Sequence, residues 1–72
     1  MSLSIWPVYY QPADFPTMFV ARRWVVVGPV PLATDDVVFA YNLERLRDQL
    51  PPGLVRLPPS PGDDPVIVES WI

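Results

Sequence analysis

The clearest pattern in the chain is a run of strand-forming residues at positions 18–27, which closes at a Gly-Pro pair. Side chains of a β-strand alternate between two faces. In this run both alternating sets are mainly apolar, and they include Val20 and Trp24 on one side and Phe19 and Val25 on the other. The pattern predicts a strand over Met18–Val27 in the interior of a sheet.

Weaker strand patterns lie near both ends of the chain. Leu3–Tyr10 is rich in aromatic and β-branched residues, but Pro7 has no N–H for a strand ladder. The sequence therefore predicts an edge strand there, or a strand interrupted at Pro7. Leu54–Leu57 and Pro65–Ile72 predict a short strand and a closing strand, joined as a hairpin by a long loop of prolines and acidic residues.

Between the central and closing strands, the apolar spacing becomes helical. Apolar residues recur at intervals of four, three and four, as an amphipathic helix requires: Phe39, Leu43, Leu46 and Leu50. Thr34, Asp35 and Asp36 are residue types that cap helix N-termini, and Pro51 disfavours helical geometry at the residue before it. The sequence predicts one helix that begins at about residue 35 and ends at about Gln49 or Leu50.

These elements in the order β-β-α-β-β predict an α+β fold. The simplest arrangement has two layers, with a three- to four-stranded, mostly antiparallel sheet and one amphipathic helix packed on one face. The length of 72 residues indicates a single small domain over positions 1–72.

Composition limits the functional groups that the chain has for catalysis and for binding cofactors. Half of the residues are hydrophobic and 18% are charged, which is typical of a chain that folds. The sequence has no Cys and no His, so it offers no disulfide, thiol nucleophile or imidazole ligand. Its three glycines form no phosphate-binding or nucleophile-elbow motif. We therefore expect no enzyme activity and no cofactor.

Charge and hydropathy limit the partners. A net charge of −3 and a pI of about 4.4 disfavour binding to nucleic acid. No apolar run approaches the length of a membrane span, and residues 1–10 do not resemble a secretory signal. We expect a cytoplasmic protein that does not insert into a membrane.

The shortage of covering elements supplies the main functional hypothesis. A single helix cannot cover both faces of the predicted sheet, so an apolar face should remain exposed and associate with another surface. Trp24, Trp71 and Ile67 are the candidate interface residues. The sequence thus favours a non-catalytic protein-interaction or homodimerising module.

Arg22 and Arg23 provide the alternative. Adjacent strand residues point to opposite faces, so one of these two arginines should meet a mainly apolar surface. An ion pair with a nearby acid such as Glu69 is the favoured interpretation. In the alternative, either arginine binds an anion or a small ligand beside an aromatic wall.

Two acidic pairs, Asp35-Asp36 and Asp63-Asp64, are the candidates for a divalent cation. Helix capping at the first pair and a turn at the second are the favoured explanations. No metal site is predicted.

Overall fold

The fold is an antiparallel sheet with one short helix. A computed structural model describes residues 3–13, 15–59, 62 and 65–72. In this part of the chain the elements are β1 (Leu3–Tyr10), β2 (Phe19–Val27), β3 (Val30–Ala40), α1 (Leu43–Asp48), β4 (Arg56–Leu57) and β5 (Ile67–Trp71). The strand order is β3-β2-β1-β5-β4, with every neighbouring pair antiparallel. The predicted mixture of helix and strand is confirmed, but the order contains one strand more than expected.

Strand β1 lies in the interior of the sheet, between β2 and β5. The expectation of an edge position is therefore wrong. The ladder with β2 has a gap at Trp6 and Pro7, between the pairs Ile5↔Trp24 and Val8↔Ala21, and the register is the same on both sides of the gap. The missing N–H of Pro7 is accommodated by this local interruption, and Pro7 itself is buried.

The predicted central strand is confirmed as β2, which pairs with β1 on one side and β3 on the other. Two residues, Gly28 and Pro29, connect the paired ends Val27↔Val30. Gly28 has φ +60°. The pyrrolidine ring fixes the φ of Pro29 at about −65°. A positive φ followed by a negative φ is the pattern of a type II′ turn, whose twist suits a two-residue hairpin.

Residues 30–40 form strand β3, so the predicted helix start at about residue 35 is wrong. The ladder shifts between Arg22↔Val37 and Trp24↔Ala33, which places three residues of β3 opposite one of β2. In this bulge the Thr34 hydroxyl donates to the Arg23 carbonyl oxygen at 2.7 Å and accepts from the Asp36 N–H at 3.2 Å. The polar residues that suggested a helix cap thus bond to the backbone within a strand.

The helix is limited to α1, six residues long. Its N-cap is Asn42, whose Oδ1 accepts from the Arg45 N–H at 2.8 Å. Its C-cap is Gln49, so the predicted end of the helix is confirmed to within a residue or two. Leu46 is fully buried and fixes the helix to the sheet.

The hydrophobic core lies between α1 and one face of the sheet. Its buried members are Trp6, Val8, Ala21, Ala40 and Leu46. Partly buried apolar side chains surround them, from the helix, from the segment after it and from β5. We call this side the helix face of the sheet, and the other side the far face.

Strand β5 lies between β1 and β4, and β4 is the edge strand on this side of the sheet. Its hairpin with β4 confirms the predicted pairing, although both strands are shorter than expected. A register shift between Val8↔Glu69 and Tyr9↔Ile67 bulges β5 at Val68. Glu69 therefore shares the helix face with Val8, whereas Ile67 pairs with Tyr9 on the far face.

The far face is partly covered by the β1–β2 loop. Phe15 of this loop stacks on Phe39 of β3, with ring centroids 5.4 Å apart and an angle of 17° between the planes. Val20, beneath this region, is 6% exposed. The loop thus shields part of the surface that one helix could not reach.

Candidate functional site

A half-open cavity lies on the far face, under the β1–β2 loop. Its volume is about 190 Å³. The lining residues come from β1, the loop and β2, and they are Tyr9, Pro12, Phe15, Val20, Arg22 and Trp24. Apart from the Arg22 guanidinium and the polar ends of Tyr9 and Trp24, these walls are apolar. The cavity forms where the sheet is irregular, because the ladder between β2 and β3 shifts beside Arg22.

Arg22 and Arg23 have different surroundings because they point to opposite faces. Arg22 lies on the far face, and its Nη1 donates to the Thr34 carbonyl oxygen at 3.0 Å. Arg23 lies on the helix face, where its Nε contacts Asp36 Oδ2 at 2.6 Å and its Nη1 donates to Ser4 Oγ at 3.3 Å. The structure therefore brings only Arg22 to an aromatic wall.

Arg23 pairs with a nearby acid on a neighbouring strand, as the favoured interpretation requires, but that acid is Asp36 of β3 and not Glu69. Strand β1 separates β2 from β5, so β2 has no strand contact with Glu69. Arg47 and Arg56 are its partners instead. These arginines precede Glu69 by 22 and 13 residues, respectively, and nothing in the strand pattern indicated either contact.

Glu69 is the centre of an ionic network on the helix face. Arg47 of α1 donates two hydrogen bonds to it, from Nε to Oε2 at 3.1 Å and from Nη2 to Oε1 at 2.5 Å. Arg56 of β4 donates from Nε to Oε1 at 3.1 Å, and Trp71 donates from Nε1 to Oε2 at 2.5 Å. The Arg47 guanidinium also lies 5.9 Å from the centroid of the Trp71 ring. One buried carboxylate thus connects α1, β4 and β5.

The network keeps Glu69 ionised. Burial by itself raises the pKa of this carboxyl group, but hydrogen bonds from Arg47, Trp71 and Arg56 outweigh it and lower the pKa below its ordinary value. The hydrogen bond between Arg47 and Glu69 also raises the pKa of Arg47. The Glu69 side chain is 1% exposed, and four donated bonds occupy its two oxygens. Its arrangement fits a structural role.

The three candidate interface residues have unequal exposure and contacts. Trp71 is half-buried, bonded to Glu69 and packed against the core. Ile67 is half-buried beside Tyr9. Trp24 lines the cavity, and its indole Nε1 is buried without an acceptor among the described residues. Their role in an interface stays a prediction.

A different apolar surface is exposed at the turn end of the β2–β3 hairpin. The cross-strand pairs Val25↔Leu32 and Val27↔Val30 lie on the helix face, beyond the end of α1. Val27, Val30 and Leu32 are 52%, 50% and 52% exposed. We call these four residues the hairpin patch. These residues are apolar in the sequence, but their exposure depends on the short helix.

A second, shallower depression lies between the end of β3 and α1, with a volume of about 450 Å³. Arg45 and Asp48 both line it, so it presents charges of both signs. This mixture selects no class of ligand.

The acidic pairs do not form a cluster in the described residues. Asp36 is engaged by Arg23, and Asp35 is exposed in the β3 bulge. No three acidic side chains come together in the part of the chain that the structure describes. Asp63 and Asp64 lie outside the described residues.

The known proteins provide no relative from which a role could be transferred. No family model, no curated protein and no solved structure matches this chain. Within the described ranges, no helix has the length and apolar character to cross a membrane.

Proposed function

We propose that this protein is a non-catalytic homodimerising module that associates through the hairpin patch. The observation that supports this proposal is the half exposure of Val27, Val30 and Leu32 on one face of the β2–β3 hairpin. Burial of such apolar area contributes about 25 cal/mol for each Å² removed from water. An exposed group of aliphatic side chains on a small domain therefore favours a contact.

Incomplete coverage by the helix produces the patch. In this proposal α1 and the sheet form two layers, and the second layer is too short. A six-residue helix is about 9 Å long, whereas β3 pairs along the nine residues of β2, which extend over about 30 Å. The helix therefore leaves the hairpin end of its own face open.

A second copy of the chain is the partner that suits this surface. Flat sheet faces rich in branched aliphatic residues pack on each other at about 10 Å, and a twofold contact requires a patch that matches itself. Arg23 and Asp36, next to the patch, pair with each other, so these two charges add little repulsion between identical patches.

The contact should use the face of the hairpin more than the edge of β3. Pro31 has no N–H to give to an added strand, and the bulge at Thr34–Asp36 breaks the regular edge. Both features are typical protections against strand addition. The proposal therefore places face-to-face packing at the hairpin patch.

Area limits the expected affinity. A standard stable interface takes about 800 Å² from each partner, roughly one sixth of the 4965 Å² surface of this chain. The hairpin patch alone is smaller than that. We expect a monomer–dimer equilibrium with a dissociation constant in the micromolar range or weaker.

The test is molecular mass by light scattering during gel filtration, over roughly 1–500 μM protein. The mass should rise from 8.2 kDa towards twice that value as concentration increases. Val30→Asp should hold the mass at the monomer value, because dimerisation would bury a charge without a partner.

Val55→Asp is the matched control. Val55 is 61% exposed and lies at the other edge of the sheet, beside β4. This variant should dimerise as the original chain does. A constant mass of 8.2 kDa at every concentration would overturn the proposal, as would equal loss of association in both variants.

A further inference from the structure

The far-face cavity contains a cation without an acidic partner in the described residues. The ion pairs of those residues use Arg23, Arg47 and Arg56, whereas Arg22 donates only to a backbone carbonyl oxygen. A guanidinium has five N–H donors, and the Thr34 carbonyl oxygen accepts one of them. Arg22 therefore keeps donors that can bind a planar anion.

Trp24 adds a second unsatisfied donor. Its indole Nε1 is buried, and no described residue accepts its hydrogen. A buried donor without an acceptor costs about 1–3 kcal/mol. By contrast, the Trp71 Nε1 donates to Glu69, so these two indole N–H groups differ in whether they have an acceptor.

Size and wall chemistry limit what the cavity can hold. Its volume of about 190 Å³ is below the range of roughly 300–1,000 Å³ that is usual for drug-sized ligands. The aromatic rings of Tyr9, Phe15 and Trp24 favour a flat apolar group. One ring with one compact anionic group fits these conditions.

We propose that this cavity binds a small aromatic monocarboxylic acid, with its carboxylate on Arg22 and its ring against Phe15 and Trp24. The planar fork of Arg matches a carboxylate with two parallel bonds. A free inorganic anion would leave the aromatic walls unused and would lose its hydration shell against them.

The cavity and the hairpin patch are independent surfaces. Arg22 and Trp24 point to the far face of β2, and Val25 and Val27 point to the helix face. Ligand binding therefore does not require the proposed dimer. Val30→Asp should bind the acid as the original chain does, so either proposal can fail without the other.

The experiment follows the indole N–H signals by two-dimensional ¹H–¹⁵N NMR during titration with benzoate. The Trp24 signal should shift and saturate at millimolar concentrations or below, while the Trp71 signal stays in place. Benzamide, which has the same shape and no charge, should bind at least about tenfold more weakly.

Substitution of the arginine gives the decisive comparison. Arg22→Gln should weaken benzoate binding by at least about tenfold, and Arg22→Lys should weaken it less because the charge is kept. Arg23→Gln is the matched control and should leave the affinity unchanged, because Arg23 lies on the helix face. An unmoved Trp71 signal in each variant verifies that the fold is intact.

The proposal is overturned if benzoate gives no saturable shift at Trp24, if benzamide or phosphate binds as well as benzoate, or if Arg22→Gln has no effect.

Discussion

At the scale of single residues, Glu69 shows how a buried charge can support a small fold. Its carboxylate accepts from two arginines and a tryptophan that belong to three different elements. The carboxylate is covered, whereas Arg47 and Arg56 keep 36% and 47% exposure. Solvent therefore screens the two arginines, and the network stabilises the fold less than a fully buried ion pair would.

Glu69→Gln should lower the free energy of unfolding by about 1–3 kcal/mol, because the amide presents N–H groups to donors that need an acceptor. Urea unfolding followed by tryptophan fluorescence measures the change. Asp36→Asn breaks the exposed pair with Arg23 and should cost less than about 1 kcal/mol. Equal losses in the two variants would contradict a special role for Glu69.

At the scale of elements, the β2–β3 hairpin depends on the conformation of one glycine. Gly28 has φ +60°, which L side chains rarely adopt, although a Cβ there would meet nothing within 4 Å. The turn therefore selects glycine for its backbone and not for lack of space.

Gly28→Ala should destabilise the protein by about 1–2 kcal/mol, the usual cost of a left-handed conformation for a residue with a Cβ. The decrease in thermal unfolding midpoint measures it. Gly62→Ala is the control, since a Cβ at Gly62 also meets nothing and the φ there is not in the left-handed region. If Gly62→Ala is as destabilising as Gly28→Ala, the argument from the turn fails.

Four of the five strands were predictable, but β3 and the start of the helix were not. The strand pattern located β1, β2 and β5 because these segments are rich in the β-branched and aromatic residues that favour strands. The group Thr34-Asp35-Asp36 was misleading because short polar side chains bond to nearby backbone in bulges as well as at helix caps. Asn42, the real N-cap, was overlooked because the apolar stripe extended back to Phe39.

The candidate site was predictable only in its components. An arginine beside aromatic residues was expected from the sequence, but the choice of Arg22 over Arg23 depends on which face of β2 the β1–β2 loop covers. The ion-pair partners of Glu69 depend on strand order, which the sequence did not determine. Contacts between distant elements require the register of the whole sheet.

At the scale of the whole molecule, stability should depend on pH through Glu69. Its pKa in the folded protein is lower than the ordinary value of 4.5, so the unfolded chain takes up a proton first as the pH decreases. The stabilisation is fully present above about pH 4.5 and is lost as the pH falls through the folded-state pKa.

The thermal midpoint, measured between about pH 3 and 7, should therefore decrease below pH 4.5. In Glu69→Gln the midpoint should start lower and change less over the acidic range, because the titrating group is absent. Parallel curves for the two proteins would show that other groups govern acid unfolding.

The position of β5 inside the sheet has a consequence for the order of folding. Strands β1, β2 and β3 follow one another in sequence and pair as neighbours, so their loops close at low entropic cost. The pair Trp6↔Trp71, by contrast, joins residues from opposite ends of the chain. Local pairings should form early and this long-range closure late. Changes at the Gly28 turn then act mainly on the folding rate, and changes at Glu69 mainly on the unfolding rate.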